Sequence, residues 1–171
     1  DARNIAAAGW HVPTITEWNT LRLYLDPDGL GWDNTAGGDI KETGTTYWES
    51  PNTGAINSVG FNARGGGYRQ YTDGTFWNIN KSGWYWASTG SGDYGNGAIT
   101  ADNSITLTTN QTPNKINGIS IRLIKDSTSL THGQTGTYTG NDGKVYRTIC
   151  IGNQEWLADN LAETKYRNND D

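Results

Sequence analysis

The chain has 171 residues, with 13 Lys and Arg against 18 Asp and Glu for a net charge of −5. No run of basic residues is present to neutralise phosphates, which disfavours nucleic acid and anionic membranes as partners. A single cysteine, Cys150, excludes an internal disulfide framework, a cysteine-rich zinc site and a Cys-x-x-Cys redox motif, and no stretch approaches the ~18 consecutive apolar residues of a membrane span.

The chain opens at Asp1 and holds no methionine, so a processed subunit or a piece of a longer product is expected. Thr14-Ile15-Thr16-Glu17 forms a capping box. Trp18, Leu21 and Leu25 then recur at i, i+3 and i+7 until Asp26-Pro27-Asp28-Gly29 stops the pattern, predicting a helix over 15–25. Residues 36–42 suit one or two further helical turns. From Gly44 the chain reads as loop and strand. Eight Trp and nine Tyr stand against two Phe, and the rings crowd between Tyr68 and Trp86, where glycines break any helix. That segment predicts short strands packed by rings, most of them in the core or at its rim.

Ser104-Ile105-Thr106-Leu107-Thr108 and Ile119-Ser120-Ile121-Arg122-Leu123 alternate apolar and polar side chains and predict two half-buried strands. The polar connection 109–117 between them is a natural exposed loop. Residues 126–139 have the Ser/Thr/Gly bias of a linker, and Gly140-Asn141-Asp142-Gly143 predicts a hairpin turn leading into a strand over 144–151. Residues 154–161 suit a short helix, and 167–171 read as disordered unless bound.

Chemistry-bearing residues are few. His11, beside a helix start, and His132, in the linker, have no partner at metal-ligand spacing. Cys150 alternates within a predicted strand as a small buried side chain. No catalytic residue, metal site or cofactor is expected. The acidic loop from Asp26 through Asp28 to Asp33 offers oxygen ligands of the kind calcium takes, but it lacks the spacing and terminal Glu of an EF-hand. A helix stop with solvated charges accounts for it. Gly65-Gly66-Gly67 is not followed by Lys-Ser/Thr and is expected to allow close backbone packing.

Gly9-Trp10-His11-Val12-Pro13-Thr14 with Glu17-Trp18 resembles the Fibrobacter succinogenes major paralogous domain. Lys41-Glu42-Thr43-Gly44, Ser50-Pro51-Asn52-Thr53-Gly54-Ala55, Gly66-Gly67-Tyr68-Arg69, Trp86-Ala87-Ser88-Thr89 and Gly118 to Leu123 continue the likeness in order over residues 1–125. Through that family's kinship with formylglycine-generating-enzyme-like domains, the resemblance implies an α+β, C-type-lectin-like fold with short antiparallel sheets, two helices and long loops. Where the enzymes of that kinship carry cysteines near the end of the fold, this chain has Arg122-Leu123. The family's opening segment is similar to Asp142–Tyr146 and Ile151–Leu161, here placed last. The chain is then a unit cut from a tandem array, a permuted domain, or a subunit donating residues 140–171 to a neighbour.

Together these features predict a non-enzymatic module, extracellular or at the cell surface. A subunit or repeat of a bacterial fibre or adhesin, self-associating by strand donation, is the leading expectation. Val145, Tyr146, Ile149, Ile151, Trp156, Leu157 and Leu161 would then be the docking residues. The alternatives are a diversified phage-type or retroelement-type receptor-binding display protein and a monomeric lectin-like domain. The ligand face is expected at the loops carrying Asp93, Tyr94, Asn96, Asp102, Asn103, Asn110, Gln111, Asn114 and Asn117, where Asn and Tyr suit a surface glycan or protein ligand.

Overall fold

The structure, a computed structural model, describes residues 4–29 and 31–171. In chain order its elements are β1 (Trp10–His11), α1 (Ile15–Leu25), α2 (Ala36–Ile40), β2 (Tyr68–Arg69), β3 (Phe76–Trp77), β4 (Ser82–Ser91), β5 (Tyr94–Ala101), β6 (Thr108–Gln111), β7 (Ile124–Lys125), β8 (Thr135–Thr139), β9 (Val145–Ile151) and β10 (Gln154–Leu157).

Helix α1 begins where its capping box places it. Thr14 Oγ1 accepts from Glu17 N at 3.2 Å and Glu17 Oε2 accepts from Thr14 N at 2.7 Å, satisfying two otherwise orphaned amides. Its buried face carries Trp18 and Leu21. Helix α2 stops at Ile40, short of the expected range, because Lys41 turns extended (φ −68°, ψ 132°) and bridges to Ala63.

Three antiparallel sheets complete an α+β architecture. The largest runs β1-β7-β10-β9-β8, the second β4-β5-β6, and the third is the hairpin β2-β3. Strand β10 lies between β7 and β9, so the C-terminal segment closes the sheet of its own chain. The core between helix and sheets is aromatic. The Trp18 ring lies 4.8 Å from Trp156, 5.6 Å from Tyr85 and 6.0 Å from Phe61, centroid to centroid, and all four residues are buried.

Four expected elements differ. Residues 104–107 are not a strand, because their backbone groups are claimed elsewhere. Ser104 O accepts from Lys41 Nζ, Ile105 O from Gly38 N, and Leu107 N donates to Asn34 Oδ1; pairing starts only at Thr108. Residues 119–123 form a connector whose two sides serve different partners. Ser120 exchanges bonds with Trp84 and Trp86, while Ile121 O and Leu123 O accept from Leu161 N and Leu157 N. The short helix expected over 154–161 is strand β10 followed by extended chain. Glu155, Trp156, Leu157 and Ala158 are buried in succession, which a strand covered on both faces allows and one helix face does not. The range read as linker holds β8, a Thr-rich edge strand with Tyr138 buried.

The predicted 140–143 turn is present, with Gly143 at φ +83° and Gly140 N donating to Lys144 O. The tail finds its partner in the N-terminal segment, where Arg167 Nε donates to Ala6 O at 2.9 Å. Cys150 is buried as expected. The glycine run packs closely too: a Cβ on Gly65 or Gly67 would strike backbone atoms of neighbouring segments.

Candidate ligand-binding site

Alternation along β4 sends Tyr85 inward, where its hydroxyl donates to Arg64 O at 3.1 Å, and turns Trp84 to the other face. Trp84 is half-buried and its indole Nε1 donates to Ser82 Oγ at 3.0 Å, which holds the ring in place. Strand β2 brings Tyr68 edge-on to Trp84, with centroids 5.9 Å apart and planes at 69°. Gly67 N donates to Ser82 O at 2.7 Å, which draws β2 to β4, and Gly67, at φ +59°, has no room for a Cβ beneath the Trp77 carbonyl.

Beyond β6, Gly95 N donates to Pro113 O and the loop returns across β2. There Asn117 Oδ1 accepts from Tyr71 N at 3.2 Å, and Arg69 and Gly118 exchange backbone bonds of 2.7 and 2.9 Å. The result is a cleft of about 280 Å³ lined by Tyr68, Gln70, Trp84, Gln111, Thr112, Pro113, Asn117 and Ile119.

The nine expected ligand residues do not form one face. Gln111 and Asn117 line the cleft. Asp93, Tyr94 and Asn114 lie beside it: Asp93 O accepts from Lys115 N, and Tyr94, 56% exposed, bridges to Asn114. Asn96 sits half-buried in β5 opposite Ala87. Asn110, at φ +61°, faces a separate hollow with Asn19, Arg22 and Trp32. Asp102 and Asn103 are at the far end of β5 from Tyr94, roughly 25 Å away at the usual strand rise. There Asp102 O accepts from Thr53 N.

Of the seven docking residues, Tyr146, Ile149, Ile151, Trp156 and Leu157 are buried within this chain, Leu161 is half-buried, and Val145 is 67% exposed. Tyr68, Gln70, Trp84, Pro113 and Ile119 were not among the expected site residues. The alternation of Trp84, Tyr85 and Trp86 puts Trp84 on the face opposite Tyr85, but only the arrival of β2 makes that face a cleft wall.

Four other polar side chains, His11, Lys41, Asp26 and His132, are held by hydrogen bonds within the fold. A larger hollow of about 500 Å³ is bordered by His11, Trp86, Ser88 and Ile121, but both His11 nitrogens are engaged, Nδ1 with Asp126 at 2.6 Å and Nε2 with Glu17 at 2.9 Å. Burial pushes the imidazole pKa down, and the two carboxylates more than offset it, leaving it raised. Lys41 is buried and donates to the carbonyls of Thr53, Ala101 and Ser104. Burial draws its pKa down to about 8 against the opposing charge of Asp102. In the acidic loop, the Asp26 carboxylate accepts from Gly29 N, Thr35 N and Thr35 Oγ1. It acts as a cap there, and Leu30 of that loop lies outside the described residues. His132 Nδ1 accepts from Gly152 N at 3.2 Å.

Among the described residues, two helices, three small antiparallel sheets and a loop-built cleft define an α+β module. The chain belongs to the Fibrobacter succinogenes major domain family, whose model matches residues 1–125. No curated protein and no solved structure matches it.

Proposed function

We propose that the protein is a non-enzymatic binding module of C-type-lectin-like fold, displayed outside the cell, whose ligand face is the loop side of β4, β5 and β6. One observation carries this reading: Gln111 and Asn117, from the Asn/Gln-rich stretch, converge with Tyr68 and Trp84 on an open cleft. Two reactive side chains elsewhere, Cys150 and His11, are committed to structure. The Cys150 thiol donates to Leu130 O and burial raises its pKa, and both nitrogens of His11 are held by carboxylates. Antibody labelling of intact against lysed producing cells, together with retention of the fluorescent protein on intact bacterial and animal cells and on polysaccharide matrices, tests the reading. Surface labelling and saturable retention are expected. Labelling only after lysis, or no saturable retention on any surface, overturns it.

A second reading, assembly by donation of the C-terminal segment, is favoured by how that segment is attached. Residues 128–134 hold mainly to β9 and β10: Thr128 Oγ1 donates to Glu155, Cys150 Sγ to Leu130 O, and Gly133 N to Cys150 O. The linker and strands β8 to β10 would therefore exchange as one body about a hinge at 126–127, repeating between chains the contacts now made within one. Light scattering decides it. Polymers of 18.7 kDa units support donation; a monodisperse monomer rejects it.

A further inference from the structure

We propose that the cleft between Tyr68, Trp84 and Gln111 binds a neutral saccharide of one or two rings without a metal ion. This rests on the binding-module reading and names its ligand class.

The lining decides the charge of the ligand. Among the described residues, no acidic or basic side chain borders the cleft, and the chain as a whole carries −5. A fixed anion or cation would enter without a counter-charge and lose its hydration. A neutral polar ligand meets no such cost.

The lining also decides the kind of polarity. Among the described residues, the side-chain amides of Gln70 and Gln111 have no hydrogen-bond partner within the protein, nor has the Tyr68 hydroxyl. Asn117 uses only its Oδ1, toward Tyr71 N, leaving the Nδ2 hydrogens free. Each Gln amide presents donors and an acceptor side by side. A sugar hydroxyl is donor and acceptor at once, so vicinal hydroxyls match two such amides, where a ligand offering only donors or only acceptors leaves half of them unpaired.

The apolar wall fits the other side of the same molecule. A pyranose carries polar groups round its rim and C–H bonds on its faces. Tyr68 and Trp84 meet at 69° rather than stacking on each other, so a ring face remains as a flat apolar wall beside the amides. The bond from Trp84 Nε1 to Ser82 Oγ fixes that wall before the ligand arrives, which lowers the ordering cost of binding. The volume, about 280 Å³, falls just below the usual span of ligand sites, roughly 300–1,000 Å³, and suits a chain end rather than a long polymer segment.

The test is calorimetric titration of the whole chain with cellobiose, maltose, lactose, mannobiose and chitobiose, all in excess EDTA, for wild type, Gln111→Ala and Gln70→Ala. Melting curves establish that the variants fold. Saturable binding of at least one disaccharide in EDTA is expected, weakened roughly five- to tenfold by each substitution. Binding that EDTA abolishes, or that both variants retain unchanged, overturns the site assignment. If none of the five binds while the protein is still retained on cell surfaces, the saccharide assignment fails and the binding module stands. If retention is absent as well, both fail.

Discussion

Arg122 Nη1 donates to the carbonyl of Leu157 at 2.9 Å, tying a fully buried guanidinium to the C-terminal segment. The same nitrogen donates to Phe61 O, Nη2 to Asn62 O, and Nε to Asn160 Oδ1. The cation lies 4.6 Å from the Phe61 ring centroid. A charge removed from water this completely is tolerated only when its donors are satisfied, and two of its four partners come from residues after 150. The buried guanidinium is satisfied only when that segment is docked.

Arg122→Leu strands three carbonyls and Asn160 Oδ1, and should cost about 3–5 kcal/mol in urea unfolding. Asn160→Ala removes one acceptor of Arg122 and the donor to Ser120 Oγ, and should cost about 1–3 kcal/mol. Equal effects from the two substitutions would contradict the central place assigned to Arg122.

His11 predicts a pH dependence on the alkaline side. Its folded pKa is raised above the ordinary 6.5, so the stabilisation it provides is fully present below about pH 6.5 and is lost as pH rises through the higher folded value. The ring is partly exposed, which limits the loss to on the order of 1 kcal/mol. Melting temperatures from pH 5 to 9 should fall more in wild type than in His11→Phe. Parallel curves would remove His11 from the account.

Lys41 works in the opposite sense. With a folded pKa of about 8 against 10.5 for the free side chain, the unfolded chain holds a proton that the folded chain has released between those values. The contribution of Lys41 to stability therefore rises with pH across that window. Lys41→Met leaves the carbonyls of Thr53, Ala101 and Ser104 without their donor, a loss of about 1–3 kcal/mol at neutral pH. The gap between wild type and variant, measured by denaturation, should widen from pH 8 to 10.5.

Gly67→Ala places a Cβ against the Trp77 carbonyl at a backbone conformation that side chains disfavour. The start of β2 and the segment 77–79 should be forced apart, disturbing the hairpin that carries Tyr68 to Trp84, at a cost of about 2 kcal/mol or more. Trp84 fluorescence and ligand binding at the cleft should change together. Gly44→Ala is a useful contrast, since it shares a positive φ and meets nothing within 4 Å; only the backbone penalty of about 1 kcal/mol should appear there.

Helix α1 and the β8–β9 hairpin were legible because their signals are local. A capping box and an i, i+3, i+7 stripe act within one helix, and an Asn-Asp-Gly turn acts within four residues. Residues 104–108 show the limit of such signals. Their alternation is that of a strand, yet Lys41, Gly38 and Asn34, all distant in sequence, took the backbone groups that a strand partner would have used. Residues 154–157 misled for the opposite reason. Their destination between two strands permits a continuous buried run, and periodicity is uninformative where both faces are covered.

At the candidate site, Gln111 and Asn117 could be read as ligand residues from the polarity of their stretch. Tyr68 and Trp84 could not, because an aromatic ring has the same sequence signature in a core as on a cleft wall, and only the juxtaposition of β2 with β4 decides between them.

The sequence by itself determined the family, the α+β composition, the first helix and the β8–β9 hairpin, since each depends on adjacent residues or on motifs in order. The tertiary structure alone decided that β10 enters the middle of the sheet, that Arg122 requires it there, and that two aromatic rings and three amides share one cleft. Those outcomes depend on contacts between residues tens of positions apart, and the free energy of such contacts comes from burial and hydrogen-bond satisfaction in the assembled core, where no local pattern records it.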